Sequence, residues 1–345
     1  MWGGVAGPMA RVTSFDIAAL AGVSQPTVSR ALSGNPAVSA ETRARVFAAA
    51  ESLNYKVDKN ASNLRRQATR TLALLFFEDP APGETQINPF FLSMLGAITK
   101  RCAVAGYDLL ISFQQLSGNW HVDYEDARRA DGLILLGYGN YLEYLPRLEQ
   151  LVAQGTHFVR WGSLRPGQLG TTIGSDNLGG GLAATRHLIA RGRRRIAFIG
   201  TANEGAPEFL DRCEGWRAAQ AEAGLVADPA LTRAASSSEE EGYAAARDLL
   251  AAGAAFDAIF CVSDLVAIGA MRALAEAGLK VPDDVAVVGF DDQPAASLTS
   301  PPLTTVAQDA RHAGTVLVET LLDRLRGEIP SPQALPARLV VRGSS

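Results

Sequence analysis

The sequence predicts a small all-α head at the N-terminus, followed by a larger α/β body built on two doubly wound parallel sheets. The chain has 345 residues, enough for two or three domains. Residues 13–55 carry apolar side chains at helical spacing between capping residues. From Thr71 onward, short apolar runs alternate with amphipathic helical segments, a pattern typical of parallel sheets covered on both faces.

The charges are divided unevenly between these two parts. Residues 11–70 contain nine Lys or Arg against four Asp or Glu, a net charge of +5. Since the whole chain carries −4, the remainder carries −9. A basic head on an acidic body indicates a polyanion-binding module joined to a domain of another kind.

The composition argues against several classes of protein. No apolar run reaches the roughly 18–20 residues that span a bilayer. The N-terminus shows no signal peptide, so we expect a cytoplasmic protein without a membrane partner, starting at Met1 or Met9. Cys102, Cys213 and Cys261 lie far apart without metal-ligand spacing, which favours three reduced thiols and no metal or other cofactor.

Three short helices are predicted in the head. Thr13 and Asp16 form a variant of the capping box at the first helix. Pro26 falls in the first turn of the second helix, where its missing N–H does no harm. Ser39 is the expected N-cap of the third, whose inward face is predicted to include Phe47.

Seven strands are predicted in the body, each a continuous apolar run. A polar, basic linker (residues 56–70) precedes the first of them. The predicted strands are Leu72–Phe77, Leu109–Phe113, Gly132–Leu136, His157–Trp161, Ile196–Gly200, Ile259–Val262 and Val285–Phe290.

The segment 16–30 has the composition of a helix-turn-helix. Ala18 and Ala21 allow two helices to approach closely, Gly22 makes the turn, and Val28 faces inward. The outer face of the second helix carries a glutamine and an arginine, which can bond adenine and guanine, beside hydroxyls that suit phosphates. The alternative is a small helical cap without nucleic acid, which the charge of +5 disfavours. The candidate DNA-contacting residues of the head are Thr13, Ser24, Gln25, Pro26, Thr27, Ser29, Arg30 and Tyr55.

The segment Val12–Leu32 closely resembles the lactose-repressor (LacI) family of bacterial transcription regulators. Members of this family combine a helix-turn-helix head with a two-lobed body that resembles periplasmic sugar-binding proteins. The resemblance therefore implies a homodimer on pseudo-palindromic double-stranded operator DNA, with a small-molecule effector between the lobes. Further matches, in order, are Val38–Arg43, Leu53–Tyr55, Ser175–Gly180, Arg186–Gly192, Gly289–Asp292, Pro302–Val306 and Leu339–Ser345.

The resemblance also assigns roles within the head and linker. Gln25 and Pro26 fall on the family's base-reading positions, and the proline can offer only apolar contact. Leu64 matches a leucine that enters the minor groove and kinks the duplex, in a hinge that becomes helical on DNA. Val57 and Asp58 replace the family's usual Pro-Asn, and the aspartate repels phosphate, so the strength of hinge contact stays open.

In the body, the resemblance places the effector-binding residues near strand ends. Trp161 suits either stacking on a pyranose or plain core packing, and Arg160 suits hydroxyls or a carboxylate, at a strand where the family often has an acid. Arg212 and Asp291 suit either the effector or an inter-element ion pair. The candidate effector-binding residues are Phe90, Phe91, Arg160, Trp161, Arg212, Asp264 and Asp291.

These inferences predict a ligand-responsive DNA-binding repressor of carbohydrate-utilisation genes, controlled by a sugar or sugar derivative. A nucleobase or other small metabolite as effector, and a solute-binding role for the body, remain alternatives.

An enzyme is disfavoured, because the Gly-rich run at 177–181 lacks G-x-G-x-x-G spacing and neither a nucleophile elbow nor metal-ligand histidine spacing is present. The expected segments are a disordered extension (1–12), the helix-turn-helix domain (13–56), a hinge (57–70) and an effector-binding and dimerisation domain (71–345), with an N-lobe at about 71–173 and 303–329 and a C-lobe at about 174–302 and 330–345.

Overall fold

The computed structural model describes residues 12–32, 34–55, 68–76, 87–113 and 118–345. The chain divides into two compact units between Thr69 and Arg70, a head and a body. Most of the expected N-terminal extension and hinge, including Leu64, lies outside the described residues.

The head contains three short helices around a small apolar core. They are α1 (Ser14–Ala21), α2 (Gln25–Leu32) and α3 (Ala40–Ser52). Gly22 ends α1 with a φ of +63°, a left-handed conformation that glycine adopts at no steric cost. The predicted three-helix organisation is therefore confirmed.

One residue that was expected in the core of the head lies on its surface. Phe47 is 51% exposed, whereas Val46, Ala49 and Ala50 are buried. These three residues have the i, i+3, i+4 spacing of one helical face, and Phe47 lies about 100° away from Val46 around the helix. The prediction that Phe47 faces the core is therefore wrong.

The body alternates strands with helices. Its α-helices in the described part of the chain are α4 (Pro89–Ala105), α5 (Tyr141–Ala153), α6 (Asn177–Ala190), α7 (Pro207–Glu222), α8 (Glu239–Ala251), α9 (Asp264–Glu276) and α10 (Ala310–Leu325). Its strands there are β1 (Thr71–Phe76), β2 (Asp108–Phe113), β3 (Gly132–Leu136), β4 (Phe158–Trp161), β5 (Thr171–Ser175), β6 (Ile196–Ile199), β7 (Thr232–Arg233), β8 (Ala258–Cys261), β9 (Ala286–Asp291), β10 (Thr304–Gln308), β11 (Gln333–Leu335) and β12 (Ala337–Val340).

The strands form two six-stranded sheets with the same internal order. The first runs β11-β5-β4-β3-β1-β2 and the second β12-β10-β9-β8-β6-β7. All pairs are parallel except β10 with β12, which is antiparallel at the edge of the second sheet. The predicted fold class of two doubly wound parallel sheets is therefore confirmed, and such sheets bind ligands beyond the carboxyl ends of their strands.

The chain crosses between the two sheets three times, after Ser175, after Gln308 and after Leu335. These crossings correct the expected lobe boundaries. β10 lies in the second sheet, not in the N-lobe, because it pairs with β9 before the chain crosses. β11 lies in the first sheet, not in the C-lobe, because it pairs with β5 at that sheet's edge.

Candidate functional site

The start of α1 is fixed by a cap between Thr13 and Asp16. The Thr13 backbone N–H donates to Asp16 Oδ2 at 2.7 Å, and the Thr13 hydroxyl donates to the same oxygen at 2.8 Å. These bonds lower the pKa of Asp16, the backbone bond from Thr13 contributing most. The cap predicted from the sequence is confirmed, and it occupies the Thr13 hydroxyl that was also predicted to contact DNA.

The predicted recognition helix α2 presents two chemically different faces. Val28 and Ala31 are buried against the head core, whereas Pro26 and Arg30 are exposed. The Arg30 Nε donates to the Pro26 carbonyl at 3.2 Å, so the guanidinium lies back along the outer face of the helix. This arrangement leaves one polar, cationic face of α2 on the outside of the head.

The N-terminal end of α2 is held by side-chain contacts. Gln25 is half-buried, and its amide donates to the Ser14 hydroxyl of α1 at 3.1 Å. The Ser24 and Thr27 hydroxyls are hydrogen-bonded to each other at 2.9 Å. Gln25 is thus held at the edge of the exposed face by a contact within the head.

Two further head residues of the prediction occupy intermediate positions. Ser29 on α2 is half-buried. Tyr55 follows α3, packs against the head core and donates its backbone N–H to the Ala50 carbonyl at 2.8 Å. Both lie at the margin of the core rather than at the centre of the α2 face.

In the body, an aromatic cluster joins the two lobes. Phe90 and Phe91 lie in the first turn of α4, after the Asn88 N-cap, and Trp161 ends β4. Phe90 lies 5.9 Å from Trp161 and 6.2 Å from Tyr138, between ring centroids, and Phe91 lies 4.7 Å from Tyr138. Tyr138 in turn contacts Phe209 of α7 in the other lobe at 5.1 Å. The cluster comprises Phe90, Phe91, Tyr138, Trp161 and Phe209.

Arg212 lies beside this cluster and is fully buried. Its Nε donates to the Asn177 side chain at 2.9 Å, its Nη1 donates to the Val262 carbonyl, and its Nη2 donates to the Tyr138 hydroxyl at 3.4 Å. Its guanidinium also lies 3.8 Å from the centroid of the Phe290 ring. These contacts, made to both lobes, fix the cation at the centre of the body.

Asp291 ends β9 and is buried opposite Arg212, with a shortest nitrogen–oxygen distance of 3.7 Å. The Gln308 amide donates to Asp291 Oδ1 at 2.6 Å, and the Gln293 amide donates to Oδ2 at 3.4 Å. Burial raises the pKa of Asp291 to about 6, although Arg212 and the two amides oppose that rise.

The same two glutamines carry polar atoms without a protein partner. The side-chain oxygens of Gln293 and Gln308 are both buried and accept no hydrogen bond. Gln293 comes from the loop after β9, and its amide reaches Asn88 of the other lobe at 3.3 Å. Since buried polar atoms in folded proteins are nearly always hydrogen-bonded, these two oxygens mark a place where a ligand can donate hydrogen bonds.

Arg160 does not join this group. Residues alternate between the faces of a strand, so Arg160 and Trp161 of β4 point to opposite sides of the sheet. The Arg160 Nε donates to the Leu169 carbonyl at 3.1 Å, and its guanidinium lies 5.2 Å from the Tyr141 ring centroid. Trp161 faces the aromatic cluster instead.

A second set of contacts joins the lobes near Arg160. The Ser163 N–H donates to Glu208 at 2.9 Å, and its hydroxyl donates to Asp211 at 2.6 Å. Arg165 pairs with Asp211 at 2.7 Å and also with Glu214. Burial raises the pKa of Glu208. All three acids lie on α7, which also carries Arg212, so this helix contacts both interlobe regions.

Four residues that contact Arg212 or Asp291 were not among the candidates predicted from the sequence: Tyr138, Asn177, Gln293 and Gln308. Three of them, Tyr138, Gln293 and Gln308, follow a predicted strand or a family motif within a few positions. That proximity was the one feature of the sequence that could have identified them as candidates. Gln308 follows the Pro302–Val306 motif and Tyr138 follows the β3 run. Nothing in the local sequence distinguishes them from other polar residues near the ends of strands and helices.

No group of three or more His, Cys, Asp or Glu side chains among the described residues is arranged to hold a metal ion. No helix in that part of the chain is long and apolar enough to cross a membrane.

Comparison with known proteins gives matches over nearly the whole chain. The family model for bacterial regulatory proteins of the lacI family matches residues 15–58, and that for a periplasmic binding protein-like domain matches 185–345. The HTH-type transcriptional regulator CelR of Thermobifida fusca is 33% identical over 341 residues, which are 97% of this chain and 98% of CelR.

Two solved structures agree with these matches. The CelR–cellobiose complex aligns with a TM-score of 0.72 at 32% identity, covering 97% of this chain and 100% of that one. The lac repressor dimer bound to operator and the anti-inducer ONPF aligns with a TM-score of 0.83 at 27% identity, covering 97% and 99%. The resemblance inferred from the sequence is confirmed: the chain belongs to the LacI family of bacterial regulatory proteins.

Proposed function

We propose that this protein is a sequence-specific DNA-binding repressor whose affinity for its operator is controlled by a sugar or sugar derivative bound between the two lobes. Family membership supports the regulatory role. The observation that carries the effector assignment is the pair of buried, unpartnered oxygens on Gln293 and Gln308, beside the interlobe aromatic cluster. Gln293 follows β9 and Gln308 is the last residue of β10, so both lie at carboxyl ends of strands, where doubly wound sheets bind ligands.

The chemistry of this region suits a neutral polyhydroxyl ligand. Sugar hydroxyls donate hydrogen bonds, which the oxygens of Gln293 and Gln308 would accept. The apolar face of a sugar ring packs on aromatic side chains, which Phe90 and Trp161 supply. The charges of Arg212 and Asp291 already face each other, so a ligand need not bring a compensating charge.

The head supplies the proposed DNA contact. The outer face of α2 carries Gln25, Pro26 and Arg30, which suit the major groove. Two heads in a homodimer would read a pseudo-palindrome, because two-fold protein symmetry requires two-fold symmetry in the DNA.

The effector would act through the difference in its affinity for the DNA-competent and DNA-incompetent conformations. Moving the population from 1:99 to 99:1 requires a difference of about 5.5 kcal/mol. Phe209 and Arg212 lie on the same helix, α7, as the acids that contact Ser163. A ligand that shifts α7 at the aromatic cluster would therefore also change the second interlobe contact.

A purine base is a second candidate effector. A flat base would stack on an aromatic ring of the cluster, as the nearly parallel rings of Phe90 and Tyr138, with 12° between their planes, do with each other. A base also offers N–H donors to the glutamine oxygens.

A thermal-shift screen of the full chain separates these candidates. Cellobiose, a panel of mono- and disaccharides, and purine bases are tested over a concentration series, because a ligand stabilises the native state with the logarithm of its concentration. Hits are then assayed for their effect on binding to a duplex selected from random sequences. A sugar that raises the melting temperature and changes operator affinity supports the proposal, whereas a response to purines alone favours the second candidate.

The DNA-binding part has its own control. The same selection is run on a chain that begins at Thr71 and therefore lacks the head. Sequence-selective binding by this shortened chain, equal to that of the full chain, would overturn the assignment of DNA recognition to the head.

A further inference from the structure

Asp264, the first residue of α9, is fully buried and binds the loop that follows β9. Its Oδ2 accepts from the Gln293 backbone N–H at 2.7 Å, and its Oδ1 accepts from the Thr305 hydroxyl. The Thr305 oxygen accepts in turn from the Asp292 backbone N–H at 3.4 Å. One carboxylate therefore fixes two consecutive amides, directly at Gln293 and through Thr305 at Asp292.

The loop held in this way has an unfavourable backbone conformation. Asp291 has a φ of +111° and Asp292 a φ of +53°, and neither is a glycine. Such conformations cost free energy and persist only where the surrounding structure holds them. Asp264 accepts from the amide of Gln293, directly after this pair, and Thr305 accepts from the amide of Asp292, within it. These two bonds can therefore hold the backbone in its unfavourable conformation.

The same loop carries the side chains of the proposed effector site. Asp291 faces Arg212, and the Gln293 amide donates to both Asp291 and Asn88. The backbone of residues 291–293 therefore sets the direction in which the unpartnered side-chain oxygen of Gln293 points. A change in that backbone would move two proposed effector contacts together.

Asp264 itself has little freedom to turn toward an effector. A Cβ on Gly289 would lie 2.4 Å from Asp264 Oδ1, so β9 passes directly against this carboxylate. Burial and the neighbouring charge of Asp291 raise the pKa of Asp264 well above its usual range. A carboxyl group that favours its neutral form binds its neighbours by hydrogen bonds, and an amide of the same shape can replace it.

We infer that Asp264 is a positioning residue that fixes the loop 291–293 and so orients Asp291 and Gln293 toward the effector without touching it. Its contribution to effector binding rests on the function proposed above. The constraint on the loop does not, and it can be measured in the ligand-free protein.

Hydrogen exchange of backbone amides in the full chain tests the constraint. In Asp264→Ala, both acceptor oxygens are lost, and exchange at the Gln293 amide should accelerate by about tenfold or more. In Asp264→Asn, the amide oxygen still accepts from Gln293 and the NH₂ group can donate to Thr305, so exchange should stay within about threefold of wild type.

Two further variants provide controls. Asp284 also accepts a backbone N–H, that of Lys280 at 2.7 Å, in an exposed turn of the same lobe. Asp284→Ala should leave exchange at Gln293 unchanged. Thr305→Val removes the hydroxyl that joins Asp264 to the Asp292 amide but keeps the bond between Asp264 and the Gln293 amide, so exchange should accelerate at Asp292 and not at Gln293. The threonine variant keeps the test decisive even if Asp264→Ala does not fold.

Calorimetric titration with cellobiose tests the consequence for binding. Asp264→Ala should weaken cellobiose binding by about tenfold, and Asp264→Asn should restore it to within about threefold of wild type. If the wild-type chain binds no cellobiose, that choice of effector fails while the exchange experiment still decides the positioning role. Wild-type exchange at Gln293 in a folded Asp264→Ala protein would overturn the inference, as would an Asp264→Asn protein that loosens the loop as much as Asp264→Ala does.

Discussion

The guanidinium of Arg212 and the carboxylate of Asp291 face each other 3.7 Å apart, and both side chains are buried between the lobes. Each of the two charged groups also has hydrogen-bond partners besides the other. Arg212 also donates to Asn177 and to the Val262 carbonyl, while Asp291 accepts from Gln308. Burying two charges is costly unless each is also hydrogen-bonded, and here each of them is.

Removal of Arg212 should destabilise the body strongly. In Arg212→Met, Asp291 stays buried without its counter-charge, and we expect a loss of about 3–5 kcal/mol in the free energy of unfolding, measured by urea denaturation. Arg186→Gln is the matched control, because Arg186 forms an exposed pair with Glu222, which is worth about 0–1 kcal/mol. Equal effects of the two substitutions would contradict this account of the buried pair.

The raised pKa of Asp291 predicts a pH dependence of stability. Its pKa is about 6 in the folded chain, above the ordinary value of 3.8, so the folded state binds the proton more tightly than the unfolded state does. The contribution is therefore fully present below pH 3.8 and is lost as the pH rises through about 6. Relative to Asp291→Asn, the free energy of unfolding of the wild type should fall over this window by up to about 3 kcal/mol.

This pH dependence is measured by urea denaturation of both proteins at pH values from 4 to 7. A wild-type free energy of unfolding that instead rises with pH, relative to that of Asp291→Asn, would show that Asp291 is stabilised as a carboxylate in the folded chain.

Gln25 should contribute to base preference rather than to electrostatic attraction. Gln25→Ala is expected to weaken operator binding by about 1–3 kcal/mol and to relax the preference at one base pair. The slope of log affinity against log salt should not change, because that slope reports phosphate contacts. Both quantities are obtained by titrating labelled duplexes at several salt concentrations, with Ser14→Ala as a control for the bond between Gln25 and Ser14.

Leu64 should matter only when DNA is bound. The family resemblance places it in the minor groove, where a leucine wedge opens a base step. Leu64→Ala is expected to weaken operator binding while the melting temperature of the free protein stays the same. Unchanged operator affinity would refute the wedge.

Arg160 and Trp161 should separate in their effects on effector binding. Trp161 faces the aromatic cluster, so Trp161→Ala should weaken binding of a sugar identified by the thermal-shift screen by about tenfold. Arg160 contacts Leu169 and Tyr141 on the other face of the sheet, so Arg160→Met should lower the melting temperature but change the affinity less than about twofold. Titration calorimetry and thermal unfolding of both variants check the two effects, and a larger loss of affinity in Arg160→Met would reverse the assignment.

Local sequence patterns specify the helices, the type of sheet and the family of this protein. The caps and turn at Thr13, Gly22 and Ser39 are local, and each fixes a helix boundary through residues within a few positions. The continuous apolar strands predict parallel sheets, because both faces of such a sheet are buried. The ordered motifs from Val12 to Ser345 identified the family, which the comparisons confirmed.

Which side chains meet depends on contacts between elements that lie far apart in the chain. The sequence could place Arg160 and Trp161 on one strand but could not say which faces the cleft, since that depends on the sheet and on the helices that cover it. It could not pair Gln308 with Asp291 or Asp264 with Gln293, because those contacts join elements separated by 17 and 29 residues. The lobe that receives the strand at 304–308 was likewise set by pairing with β9, a choice that depends on a distant strand edge and that no local pattern encodes.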